Sequence, residues 1–328
     1  MLNAQWVHHY AVINGIHTHF VEQGEGIPVV LCHGFPHLWF SWHRQIPVLA
    51  EAGFRVIAPD MRGMGQTEAP DDPREYDVDH ITGDLLGLLD HIGEEKAIFI
   101  GLDFGAFANY DFALRHPERT IAVIGLENPA APHDPNEPPL TGYRRMGAEH
   151  FLHINYFLEP PRADIELAEQ TRRFLHTVFW TLSGEVSYFD MFKFPPETSY
   201  IDAMVEPPPL PWPWLSELEL EFFVSEYSQC GFTGGINWYR SMDMKWEQRR
   251  PYEGVQSEVP AWFIGSENDV DLEGFHGDDP IAQMRAIFPK LMDVQMIPGA
   301  GHMIQLEATE ALNVILLDYL ERIRNHGI

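Results

Sequence analysis

The segment "AIFIGLDFGAFANY" (residues 97–110) places Asp103 between two glycines, Gly101 and Gly105, after a β-branched and aromatic run and before a helix-like stretch. Strand, Gly-x-nucleophile-x-Gly turn and helix together describe a nucleophile elbow, where a side chain stands at the tip of a tight turn. Most elbows present serine; a carboxylate implies different chemistry. It is ionised at neutral pH without a base to remove a proton, so it suits in-line displacement at an sp³ carbon. The product is an alkyl ester of Asp103 whose own carbonyl is then open to water. Two later segments fit that second step: the acidic loop "GSENDVD" and the pair Gly301-His302. His302 would activate the water, and Asp269 would orient the ring and stabilise the imidazolium. Glu267 and Asp271 share the acidic loop.

The elements that must hold these groups follow from hydrophobic period. "WVHHYAVINGIHTHFVEQG" alternates and turns at Asn14-Gly15, a strong hairpin signal. "PVVLCHGFP" and "FRVIAPDMRGMGQT" run from apolar strands into turns, and "ITGDLLGLLDHIG" has helical spacing with glycine at its end. Repeated βα units on nearly continuous apolar strands predict an α/β fold with a mostly parallel central sheet flanked by helices. From about Ala131 to Tyr252 the texture changes to amphipathic helical pieces and a proline cluster, "EPPPLPWPW". A βα alternation resumes at "VPAWFIGSENDV" and "LMDVQMIPGAGHM", before the final helix "TEALNVILLDYLERIR". The expected organisation is one core built from residues 1–130 and 253–328, with residues 131–252 inserted as an α-helical cap. The proline cluster reads as a rigid cap loop whose tryptophans line or cover a pocket. The chemistry-bearing residues fall at the C-terminal ends of predicted strands, where open α/β sheets place their sites.

Composition narrows the function classes. A chain of 328 residues with 45% hydrophobic residues has material for a large core. Its net charge of −28, with only four lysines, opposes binding to nucleic acid or anionic lipid. Two cysteines make no disulfide framework, and neither has a zinc-like spacing to histidine. Met1–Tyr10 carries no signal-peptide pattern and no apolar run has membrane-spanning length, so a cytoplasmic protein is expected. His17 and His19 read as one face of a strand rather than a metal site. His33 reads as fixing its turn, and Asp60 and Arg62 as tying their loop together.

The order nucleophile, acid, histidine is that of the α/β-hydrolase fold, and the chain resembles the epoxide hydrolase branch of it. The resemblance extends over nearly the whole chain, through "HGFPHLWFSWHRQIPVLAEAGFRVIAPDMRGMGQT", "GLDFGA", "YFLEPPRADIE", "GFTGGINWYRSM", "GSENDV" and "GAGHM". It implies hydration of an epoxide to a vicinal diol without metal or cofactor. It also implies that the backbone N–H groups of Phe35 and Phe104 hold the oxyanion, and that Tyr239, in Asn237-Trp238-Tyr239-Arg240, donates to the epoxide oxygen. A second cap tyrosine belongs where this chain has His153, whose donor strength varies with pH more than a phenol's. Tyr156, one helical turn away, is the alternative donor. Leu102 stands where the family often has histidine, a difference of packing. Pro36, Trp39, Tyr156, Trp238 and Met303 are expected to contact a small hydrophobic epoxide. The oligomeric state is left between monomer and homodimer.

Three rivals share parts of this pattern. Haloalkane dehalogenases hold the halide with an indole N–H beside the nucleophile, where this chain has Phe104. Haloacetate dehalogenases place arginine there. A non-catalytic receptor on the same fold would be expected to lose a triad member or its proton donor; all three triad positions are filled, and only the His153 departure favours it. An esterase is disfavoured because neither Ser nor Cys occupies the elbow.

Overall fold

The computed structural model of the chain describes residues 6–326. A hairpin comes first: β1 (Val7–Ile13) and β2 (Ile16–Gln23) pair antiparallel. Asn14 and Gly15 join them with φ of 48° and 87°, the backbone that a two-residue hairpin loop requires. The remaining strands are β3 (Ile27–Cys32), β4 (Phe54–Pro59), β5 (Ala97–Leu102), β6 (Thr120–Leu126), β7 (Ala261–Ser266) and β8 (Leu291–Ile297). Together they form one eight-stranded sheet in the order β1-β2-β4-β3-β5-β6-β7-β8. Only the pairings of β2 are antiparallel.

Every residue of β5 and β7 is buried, which is why "AIFIGL" and "AWFIGS" show no alternation: both faces of the sheet are covered. The edge strand β1 does alternate, and it exposes Val7, Tyr10 and Val12. On one face the helix Phe104–Arg115 returns from the end of β5 and packs on β5 and β6. The C-terminal ends of β3, β5, β6 and β7 therefore meet along one rim, with β8 leading to the loop that carries His302.

Between Leu126 and Ala261 the described chain adds no strand to the sheet and folds mainly as helices. It is tied to the core through polar contacts. Glu219 Oε1 accepts from Arg44 at 2.6 Å and from His43 at 3.0 Å, while Oε2 accepts from Ser216. Burial alone would raise the Glu219 carboxyl, but His43, Ser216 and Arg44 hold it well below the usual carboxylate range. Tyr227 donates to the His37 carbonyl at 3.0 Å and the Trp238 indole to the Arg62 carbonyl at 2.9 Å.

The tryptophans of the proline cluster, expected to line or cover the pocket, do not line it. Trp212 stacks on His176 and packs against Trp180 and Trp214, so these rings bind the loop to a neighbouring helix. His19, Asp60 and His33 form a loop-fixing network. Asp60 accepts from His19 at 2.7 Å and from the Trp39 and Gln66 amides at 3.0 Å. His33 accepts from Met61 N at Nε2 and donates from Nδ1 to the Gly34 carbonyl. Arg62 forks onto Asp84 with two contacts of 2.7 Å.

Candidate active site

Asp103 follows the last residue of β5 and precedes the first of the helix Phe104–Arg115. Its backbone sits at φ 56°, ψ −127°, a conformation that non-glycine residues rarely adopt. Such strain persists because the surroundings fix it. A Cβ at Gly105 would overlap the Cys32 carbonyl, and one at Gly34 would overlap the Asp103 carboxylate itself. The two glycines let three chain segments close around the carboxylate.

Asp103 Oδ1 accepts a hydrogen bond from Phe35 N at 2.7 Å. Phe104 N belongs to the first residue of the helix, so it has no intrahelical acceptor. Oδ2 lies 3.9 Å from His302 Nε2. On the other side of that ring, His302 Nδ1 donates to Asp269 Oδ2 at 2.7 Å, and Asp269 is almost fully buried. This bond puts the ring proton of the neutral imidazole on Nδ1 and its lone pair on Nε2, the nitrogen 3.9 Å from Asp103. Asp269 Oδ1 accepts from Leu272 N at 3.0 Å, so both oxygens have assigned partners. Glu267, in the same loop, is exposed, and the side chain of Asp271 lies outside the described residues.

The carboxylate faces a cavity enclosing about 740 Å³, its open mouth included. Aromatic rings dominate its walls, among them Phe35, Phe104, Phe157, Phe174 and Tyr200. Asp103, His302, Pro36, Tyr239 and His153 line it together. The Tyr239 ring packs edge-on against Phe104 at 4.7 Å, and His153 stands perpendicular to Tyr239 at 5.7 Å.

Four expected substrate contacts lie elsewhere. Tyr156 is outside the cavity lining; its hydroxyl donates to Glu166 at 2.6 Å. Residues 153 and 157 share the inward face of the helix His153–Phe157, which turns position 156 away. Trp39 is packed under the first hairpin against Trp6, His8 and Phe222. Trp238, one position from Tyr239, points to the core, where its indole donates to Arg62 and its ring stacks behind Phe104 at 5.3 Å. Met303 is fully buried and also misses the lining. Leu102 is core packing, as expected.

Sequence reasoning missed several groups around the site. Tyr188 lines the cavity and its hydroxyl is hydrogen-bonded to His153 Nδ1. Lys245 is buried beneath Phe104 and Trp238 and donates to the Trp238 carbonyl at 3.0 Å; burial lowers it to about 7. Glu127, at the end of β6, accepts from Ser266 N at 2.8 Å and Ser266 Oγ at 2.5 Å. Burial first, and the Asp269 charge second, push its carboxyl well above the usual range.

Glu307 holds the His302 loop from behind. Its carboxylate accepts from the amides of Gly184 at 2.8 Å, Met303 at 3.1 Å and Gly301 at 3.3 Å. His302 N in turn donates to the Leu182 carbonyl at 2.9 Å, so the helical insertion and the histidine loop are knitted together. The Ser/Gly pair at 183–184 gave no sequence signal for this contact. Burial raises Glu307 to about 7. A carboxyl raised in the fold contributes stability fully present below its unfolded pKa of about 4.3 and lost as pH rises through about 7. Chemical denaturation across that window is expected to show a loss on the order of 3 kcal/mol in the wild type that Glu307→Gln removes. Identical pH slopes for the two proteins would refute this role.

Residues 27–147 match the alpha/beta hydrolase fold family. Epoxide hydrolase A of Mycobacterium tuberculosis is 38% identical over 311 residues, which cover 94% of this chain and 95% of that protein. Epoxide hydrolase 1 of Siraitia grosvenorii is 33% identical, covering 96% and 98%. The crystal structure of epoxide hydrolase A from Mycobacterium thermoresistibile superposes with a TM-score of 0.90 at 36% identity, over 97% of this chain and 98% of that one. With this identity carried over nearly its full length, the chain belongs to the epoxide hydrolases of the α/β-hydrolase fold.

Proposed function

We propose that the protein hydrates small hydrophobic epoxides to vicinal diols through an ester on Asp103. The observation that carries this reading is the two-sided environment of that carboxylate: Phe35 N holds Oδ1 while Oδ2 faces His302. Oδ2 attacks an epoxide carbon as the C–O bond breaks, and the leaving alkoxide takes a hydrogen bond and a proton from Tyr239 and His153. Oδ1 then becomes the ester carbonyl oxygen, already 2.7 Å from a donor suited to the later oxyanion. His302 Nε2 takes a proton from water, the resulting hydroxide adds to the Asp103 carbonyl carbon, and the imidazolium is balanced by Asp269. As the tetrahedral species collapses, the imidazolium proton passes to the leaving diol oxygen, and the proton of the carboxylic acid so formed returns to the cap acid that had been deprotonated, which restores the Asp103 carboxylate.

Residues 131–252 act in this reading as a cap that closes the cavity and supplies Tyr239 and His153. No helix among the described residues is long and apolar enough to cross a membrane. A cytoplasmic location is supported by the two free cysteines, Cys32 and Cys230. Dehalogenation is disfavoured because Phe104 offers no side-chain donor and the nearby Trp238 indole is bonded to Arg62.

A single-turnover reaction in heavy-oxygen water, with enzyme in excess over epoxide, tests the ester. The first diol is expected to carry unlabelled oxygen taken from Asp103, and label is expected only after further turnovers. Full labelling of the first diol would mean direct attack by water and would sink the reading.

A further inference from the structure

His153 raises a chemical difficulty for ring opening. A neutral imidazole can offer an N–H, but it is a far weaker acid than a phenol, and giving the proton away would leave an imidazolate. The structure places a phenol behind the ring. The Tyr188 hydroxyl is hydrogen-bonded to His153 Nδ1, Tyr188 is buried, and both side chains line the cavity that contains Asp103. The imidazole plane is fixed by Tyr200, stacked on it at 5.8 Å, and by Tyr239, perpendicular at 5.7 Å. Between a phenol and a neutral imidazole, the phenol is the better donor and the ring nitrogen the better acceptor, so O–H···Nδ1 is the favoured direction. That direction assigns the ring proton to Nε2.

We propose that the second acid of ring opening is the pair His153–Tyr188: His153 Nε2–H hydrogen-bonds the epoxide oxygen, and Tyr188 resupplies the ring through Nδ1. This rests on the ester mechanism above. The protons balance. As the Asp103–carbon bond forms and the epoxide C–O bond breaks, the alkoxide takes the Nε2 proton and Nδ1 takes the Tyr188 proton. The ring stays neutral and the charge rests on the Tyr188 phenolate until the later steps return a proton. The second tyrosine of the reaction is thus displaced by one hydrogen bond, from position 153 to position 188. Tyr188 acts through His153 and is a positioning and relay residue.

The signature is a pH-dependent defect. Tyr200, Tyr239, Tyr143, His276, Asp103 and His302 are the other titratable groups on this cavity, and His302→Gln removes the imidazole beside Asp103. In that background, ester formation on Asp103 can be timed by rapid quench and intact mass. Tyr188→Phe is expected to slow it roughly ten-fold near pH 8, with the deficit shrinking below about pH 6. There the imidazolium carries protons on both nitrogens and needs no relay. His153→Tyr puts a phenol directly at the epoxide, and adding Tyr188→Phe to it is expected to cost nothing further. A Tyr188→Phe protein as fast as its parent at every pH overturns the proposal. So does a deficit that is independent of pH, or one that persists beside His153→Tyr, since either marks a packing role. A parent that forms no ester with any epoxide overturns the ester mechanism itself, and the proposal with it.

Discussion

His302→Gln is expected to leave the protein esterified: with a reactive epoxide its mass rises by that of the whole epoxide, the adduct maps to Asp103, and turnover falls by about four orders of magnitude. The two half-reactions ask different things of the site. Alkylation needs an ionised carboxylate, its Phe35 contact at 2.7 Å and acids in the cap, none of which involves His302 as a base. Hydrolysis needs a base aimed at a water near the ester carbonyl, and His302 Nε2, 3.9 Å from Oδ2, is the group so placed. Glutamine fills similar space, and its amide can still donate to Asp269, so the buried carboxylate keeps a partner. An adduct equal to an organohalide minus hydrogen halide, with none from epoxides, would move the reaction to dehalogenation. Continued diol release from an unmodified Asp103 would remove the ester altogether.

The meeting of Asp103, Asp269 and His302 was legible in the sequence because its signals are local. Gly101 and Gly105 mark the elbow within five residues, and backbone closure around Asp103 explains both the glycines and the strained φ. Asp269 follows β7, whose apolar run is unbroken because both sheet faces are covered, whereas His302 follows the edge strand β8, whose run is broken by Asp293 and Gln295. The cap was harder to read because its contacts are made across the chain. Choosing between His153 and Tyr156 depends on which face of a five-residue helix turns inward, and finding Tyr188 depends on a 3₁₀ segment at Tyr188–Lys193 folding back to it. No period within either segment encodes that meeting. Trp238 and Tyr239 are adjacent in sequence but lie on different faces of their helix, so one supports Phe104 from behind while the other enters the cavity. Glu127 and Glu307 read as ordinary acidic residues, and only the fold shows that their partners are backbone amides of the loops carrying Asp269 and His302.

Asp269→Asn should separate the same two steps by a different route. In the wild type, Oδ1 accepts from Leu272 N at 3.0 Å and Oδ2 accepts from His302 Nδ1 at 2.7 Å. An asparagine at this position keeps its oxygen where the Leu272 amide points, which turns its NH₂ toward His302. A donor facing Nδ1 forces the ring proton onto Nε2, so the imidazole presents an N–H where a base is needed. The charge that stabilised the imidazolium is lost as well. Ester hydrolysis is expected to fall about 10³- to 10⁴-fold, while the rate of ester formation changes little, so the substituted enzyme also accumulates the Asp103 ester. Glu127 provides an internal check. Burial, and then the Asp269 charge, raise its carboxyl well above the usual range, and removing that charge favours its ionisation beside the histidine loop. Residual hydrolysis in Asp269→Asn should therefore rise with pH, and adding Glu127→Gln should abolish that rise. Equal losses in both half-reactions would mean that Asp269 holds the loop together rather than setting the tautomer of His302, and unchanged hydrolysis would remove it from the triad.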